Sequence, residues 1–245
     1  MDKKKKDFEK RLLTRFISNS SLRMRISGLH ALENEPPDFK IKRFVNGQFK
    51  EIGLEITRII NPSLKEIESA QEKTVELARR KFRSELKENL VVYVDFSENP
   101  FPFKEKDLQK IAEDLFNLVK TVAENNRGFK FNITTDEIKL NPIFRSITIK
   151  NDEDYGFENW QPFGAFRVPY IDETWFSSVI ERKESKISNY SQAFDEKWLL
   201  MIANFGHESS AFQFSNLRAE FQKSKFDRIF IYNWMQDEII RIKGK

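Results

Sequence analysis

Residues 35–57 read Glu35-Pro36-Pro37-Asp38-Phe39-Lys40-Ile41-Lys42-Arg43-Phe44-Val45-Asn46-Gly47-Gln48-Phe49-Lys50-Glu51-Ile52-Gly53-Leu54-Glu55-Ile56-Thr57. Two apolar runs flank Asn46-Gly47: Phe39, Ile41, Phe44 and Val45 before it, then Ile52, Leu54, Ile56 and Ile59 after it. Asn-Gly between alternating segments marks a β-hairpin with a two-residue turn. Asp38 opens the first run, and Glu55 lies seventeen residues later between Leu54 and Ile56. Paired strands sit ~4.8 Å apart, so acids near matching strand ends meet at one point. Carboxylates brought together repel unless a cation lies between them, and hard divalent cations take such oxygen ligands. Glu55 stands in a segment too apolar for an exposed edge, and a buried carboxylate is tolerated only when paired or metal-bound. The stretch is where the chain looks arranged for metal chemistry.

The chain has 245 residues, enough to bury a substantial core as one large domain or two small ones. Hydrophobic residues at 39% and charged residues at 33% describe a globular chain with a well-charged surface. The 24 phenylalanines spread along the whole length, so most belong in the core. No run approaches the ~20 apolar residues of a membrane helix. The Met1-Asp2-Lys3-Lys4-Lys5-Lys6 start is positive but lacks the apolar segment of a signal peptide. The lack of cysteine excludes disulfides and thiolate metal sites. A cytoplasmic protein is the resulting expectation. The net charge of +4 tolerates a nucleic-acid partner without demanding one. The basic clusters are Lys3–Lys6; Lys40, Lys42 and Arg43; Arg79, Arg80, Lys81 and Arg83; and Arg182, Lys183 and Lys186. Runs of this kind are ordinarily solvated faces.

Helical spacing runs through residues 7–18, and Leu22, Ile26 and Leu29 continue a similar stripe. After the hairpin, Asn61-Pro62-Ser63 opens a long helix, with Ser63 and Glu66 as a capping pair. Its stripe is Leu64, Ile67, Gln71, Val75, Ala78 and Phe82. Residues 90–96 read as a buried strand and 108–122 as an amphipathic helix. Residues 144–149 alternate like a strand, and 151–167 read as a long loop. Further on come a helix at 173–190, a strand at 198–205, a helix at 208–222 and strands at 227–234 and 238–243. Strands alternating with helices indicate an α/β fold with a mixed central β-sheet flanked by helices. No internal boundary is evident, so a single α/β domain over 1–245 is expected.

A helix, Pro-Asp at a strand, a hairpin, Glu-X-(Lys or a substitute) on the next strand, and a further helix and strand resemble the PD-(D/E)XK, or restriction-endonuclease-like, nuclease superfamily. The likeness covers residues 20–96, with Pro37-Asp38 matching PD and Glu55-Ile56-Thr57 matching (D/E)XK. It implies a restriction-endonuclease-like core at 20–96 with a C-terminal α/β extension over 97–245. It also implies Mg²⁺- or Mn²⁺-dependent phosphodiester hydrolysis, with DNA the substrate by family habit, and is compatible with a homodimer. Asp38 and Glu55 would hold the metal, and Glu33 or Glu35 would supply a third carboxylate ligand or remain an ordinary surface Glu. Thr57 stands where the family normally has lysine. That departure leaves a second expectation, an inactive nuclease-like fold that binds nucleic acid or protein.

Three side chains could stand in for the lysine. Thr57 itself is one, since some members carry Thr there. Gln71 lies on an apolar helix stripe four residues from Ile67 and from Val75, where family helices often place an active-site Gln. Lys183 shares a stripe with Phe176, Ile180, Ile187 and Tyr190, either snorkelling from the core edge or acting as a migrated lysine. Arg79, Arg80 and Lys186 would hold the phosphate backbone. Lys73 falls about 200° round the helix from Gln71 and faces away. His30 and His207, the only histidines, do not make a zinc site, and no phosphate loop, nucleophile elbow or dinucleotide fingerprint is present.

Overall fold

The alternation around Asn46-Gly47 forms the expected hairpin, with both turn residues at positive φ (49° and 83°). That conformation belongs to a type I′ turn and suits Asn-Gly. In this computed structural model the described residues are 3–22, 26–32, 36–97, 101–135, 141–151, 156–190, 192–215, 217 and 223–243. They form helices α1 (Lys3–Ser18), α2 (Pro62–Glu85), α3 (Glu105–Asn125) and α4 (Glu173–Glu184). The first strands are β1 (Ile26–Ala31), β2 (Phe39–Val45), β3 (Gln48–Arg58), β4 (Val91–Phe96) and β5 (Phe131–Thr135). The remaining strands are β6 (Phe144–Asn151), β7 (Asn159–Pro162), β8 (Glu196–Ala203), β9 (Arg228–Asn233) and β10 (Glu238–Lys243). The fold is mixed α/β, with helices flanking two mixed sheets. No described helix is long and apolar enough to cross a membrane.

Where the sequence suggests one domain over 1–245, contacts group the chain into two compact units, Met1–Asn61 with Arg167–Lys245, and Pro62–Phe166. In the first unit the sheet runs β1-β2-β3-β8-β9-β10. The first three strands are antiparallel, β8 and β9 continue parallel to β3, and β10 returns antiparallel. Because side chains alternate across a strand, the sheet has two apolar faces. Phe39, Ile41, Leu54, Trp198 and Phe230 pack with Leu12, Leu13 and Phe16 of α1 on one of them. Ile59, Leu199, Met201 and Ile229 pack with Phe176, Val179 and Ile180 of α4 on the other. In the second unit the sheet is β5-β6-β4-β7. Val92, Val94, Ile147 and Ile149 there share a core with Val75 and Phe82 of α2 and Leu115 and Val119 of α3.

Four segments differ from the sequence reading. The stripe through Leu22, Ile26 and Leu29 does not extend the first helix, because residues 26–31 pair with β2 as a strand. Gly28 disfavours helix there, and the edge of β2 offers backbone partners instead. The 151–167 loop contains β7, which pairs parallel with β4 and places Trp160 5.4 Å from Phe82. The helix at 208–222 reduces, among described residues, to a short 3₁₀ turn at Glu208–Ser210. There the Ser210 hydroxyl donates to the Ile59 carbonyl (2.7 Å) and accepts from the Asn204 N–H (2.9 Å). Such side-chain bonds to backbone compete with helix. Finally, the strand that continues the hairpin's sheet beyond β3 is β8, whereas β4 belongs to the second sheet.

Candidate active site

Glu55 sits mid-strand in β3, which is covered by β2 on one side and β8 on the other. Its neighbours Leu54 and Ile56 point to the α1 core, so Glu55 points to the α4 face. Its side chain is only 2% exposed. Asp38 immediately precedes β2, and its Oδ2 accepts the backbone N–H of Ile56 at 2.8 Å. The carboxylate thereby extends the β2–β3 ladder by one bond. The Asp38 carbonyl in turn accepts from the Leu32 N–H (3.2 Å) and from Lys6 Nζ (3.1 Å). Lys6, read from sequence as part of a solvated basic run, thus helps to hold the segment that carries Asp38.

The third group comes from α4. Asp172 caps its start by accepting the Trp175 N–H at 2.6 Å, and Phe176, Val179 and Ile180 bury one face. Lys183 lies in the last turn, where the helix dipole favours a cation. Its Nζ donates to Glu55 Oε2 at 2.8 Å and lies 3.5 Å from Asp38 Oδ2. One ammonium therefore serves two carboxylates. Burial raises the Glu55 carboxyl above its ordinary value; Lys183 opposes this, Asp38 adds to it, and Lys186 opposes it more weakly. Lys186 itself is exposed, just past the helix.

Tyr190 is the residue that sequence reasoning treated as core alone. Its hydroxyl is buried and finds no hydrogen-bond partner among the described residues. Burial and then the charges of Glu55 and Asp38 hold the phenol protonated well above its ordinary range. Its signal in the sequence was its place on the Lys183 stripe. Tyr190→Phe should leave stability unchanged or raise it by about 1 kcal/mol, because an unsatisfied buried hydroxyl is removed. A clear loss of stability on chemical denaturation would contradict that.

Gly53 lies two residues before Glu55 on the same face of β3. A Cβ there would lie 2.9 Å from Phe194 Cδ2 and 3.1 Å from Pro37 Cγ, the residue before Asp38. Phe194 is itself buried and packs edge-on to Tyr190, with ring centroids 5.7 Å apart. Gly53→Val is expected to cost roughly 2–3 kcal/mol through overpacking. Denaturation midpoints check this, and an unaffected variant would show that Phe194 and Pro37 yield freely.

The other sequence candidates separate. Thr57 follows Glu55 on the same strand face, half-buried opposite Met201. Gln71 lies on α2, in the second unit. Arg79 donates to Glu158 and Glu76 (both 3.0 Å), and Arg80 donates to Glu76 (2.8 Å). Lys73 pairs with Glu105. Glu33 and Glu35 lie outside the described residues. Among the described residues no cluster of three or more His, Cys, Asp or Glu side chains is placed to hold a metal. Comparison with known proteins found no match among family models, curated proteins or solved structures.

Proposed function

We propose that this protein is a metal-dependent phosphodiester hydrolase, a nuclease of the PD-(D/E)XK type acting on DNA. The observation that carries the reading is the convergence of Asp38, buried Glu55 and Lys183 from three separate elements on one point. In the first unit α1, β1, the β2–β3 hairpin, α4 and the parallel strand β8 follow one another, with 62–166 interposed between the Glu55 strand and α4, whereas the helix and strand at 62–96 on which the resemblance is drawn belong to the second unit. Lys183 supplies the ammonium that Thr57 does not.

The donor set suits a hard cation. Mg²⁺ is commonly bound through one or two carboxylates, with waters and substrate phosphate completing its shell. The position of Lys183 Nζ shows that positive charge is stabilised between Asp38 and Glu55. Those two residues would hold the ion, which when bound supplies charge to polarise a phosphate oxygen and to acidify a water. The chain's own groups do the rest. The Ile56 N–H fixes the Asp38 carboxylate, and Lys183 holds a proton where it can donate to a phosphate oxygen or orient the attacking water. The Tyr190 hydroxyl is a donor waiting for an acceptor, and Lys186 lends positive charge at the rim. Incubation with plasmid, linear and single-stranded DNA and with RNA, in Mg²⁺ or Mn²⁺, should give cleavage that chelation stops. If no substrate is cut with either metal, the reading fails.

A second reading rests on the same ion pair. Lys183 already offsets one of the two carboxylate charges, which suits an inactive nuclease-like fold that binds nucleic acid or protein. A Mg²⁺ titration followed by calorimetry separates the two, since the inactive module binds no ion at Asp38 and Glu55.

A further inference from the structure

Across the sheet from Asp38 and Glu55, on the α1 face, four cations gather around one carboxylate. Arg43 of β2, Lys50 of β3, Arg228 of β9 and Arg241 of β10 share that face with Trp198 and Phe230 by strand alternation and register. Glu196 accepts from Trp198 Nε1 (2.9 Å), Arg228 Nε (3.3 Å) and Lys50 Nζ (3.4 Å). The Arg43 and Arg228 Cζ atoms lie 5.9 Å and 5.2 Å from the Trp198 ring centre. Arg241 Cζ lies 5.9 Å from the Phe230 ring centre, and those two rings are 5.6 Å apart.

Glu196 can balance one of these charges, which leaves three. Cation–π contact with an aromatic ring contributes only ~0.5–2 kcal/mol and does not remove the mutual repulsion. The strain falls on Arg43: burial, then Arg228 and Arg241, lower its guanidinium pKa from the ordinary value, and only Glu196 opposes them. Its Nε is buried and makes no hydrogen bond among the described residues. A buried donor without an acceptor is costly, so an acceptor there would stabilise the fold. Guanidinium groups approaching from β2, β9 and β10 suit an anion with several oxygens in different directions, which a planar carboxylate does not provide. Arginine forks match phosphate oxygens in this way. Exposed Arg241 and half-buried Lys50, whose side chain is 40% exposed, leave the cluster open to solvent.

We propose that Arg43, Arg228 and Arg241, with Lys50 at the rim, form a phosphate-binding site on the α1 face of the six-stranded sheet. Its ligand is either a phosphodiester of a nucleic-acid backbone or a free phosphate. The site stands independently of the carboxylate chemistry on the other face. Thermal unfolding of the full chain in inorganic phosphate, against chloride at equal ionic strength, and anisotropy with a labelled oligonucleotide lacking terminal phosphates distinguish the sources. A free-phosphate site gives a phosphate-specific rise of roughly 2–4 °C in Tm. A backbone site gives oligonucleotide affinity that falls about tenfold or more in Arg43→Gln/Arg228→Gln and in the exposed single variant Arg241→Gln. In either case the arginine variants lose the response. A wild type that responds to neither probe, or arginine variants that respond as wild type does, overturns the proposal.

Discussion

Mg²⁺-dependent cleavage should fall by about 10³-fold or more in Asp38→Asn and in Glu55→Gln. A bound metal contributes several kcal/mol of charge stabilisation to a phosphoryl transition state, and each 1.36 kcal/mol is tenfold in rate. Either change removes one of the two anionic oxygen donors while keeping the side-chain shape. Asp38→Asn tests the ligand most cleanly, because its side-chain oxygen can still accept the Ile56 N–H. Both variants should also lose the heat of Mg²⁺ binding in calorimetry, a readout that does not depend on finding the natural substrate. The expected pattern is loss of cleavage and of Mg²⁺ binding together, with Arg43→Gln leaving Mg²⁺ binding intact. If both carboxylate variants cut at the wild-type rate, the hydrolase assignment is wrong.

Lys183→Met is the second large effect, and it appears in stability as well as activity. Methionine keeps most of the side-chain stem but removes the ammonium between the two carboxylates. Glu55, 2% exposed, is then left buried with Asp38 as the strongest remaining charge acting on it. Breaking a buried pair from one side costs about 3–5 kcal/mol, because the remaining charge is uncompensated. The pH dependence has a definite sign. The folded-state Glu55 carboxyl already titrates above its ordinary value, mainly through burial, and loses the influence that lowers it. The penalty is therefore full at pH above the raised folded value, shrinks as pH falls through it, and is gone below the unfolded value, where Glu55 is neutral in both states. Denaturant unfolding of wild type and variant across pH measures this. Glu55→Gln/Lys183→Met should recover much of the loss, as expected for directly coupled residues. A single variant as stable as wild type at neutral pH would show that the pair is not energetically joined.

Much of the site is local, and that part was readable. Asn46-Gly47 dictated the turn, alternation dictated the two faces, and together they carried Asp38 to the level of Glu55 and Ile56. The Lys183 stripe on α4 was equally visible, although whether it snorkelled or served the carboxylates was not, since 128 residues separate it from Glu55. Gln71 was legible only as a polar residue on an apolar helix stripe. Its helix follows the hairpin directly, but sequence adjacency does not say which sheet a helix covers, and α2 packs in the second unit. The β1 segment misled because a short apolar stripe fits either period until a strand edge is available to pair with it.

The amino-acid sequence by itself determined an α/β chain with a tight hairpin and two acids at its base, one of them in a run too apolar for open solvent. Turn chemistry and side-chain period are properties of a few consecutive residues, so they need no knowledge of the rest of the fold. Only the tertiary structure decided which strand lies beside β3, which helix covers Glu55 and therefore which cation compensates it. A buried carboxylate requires a partner, but its identity depends on the crossover that brings α4 over the sheet, and here that crossover delivers Lys183.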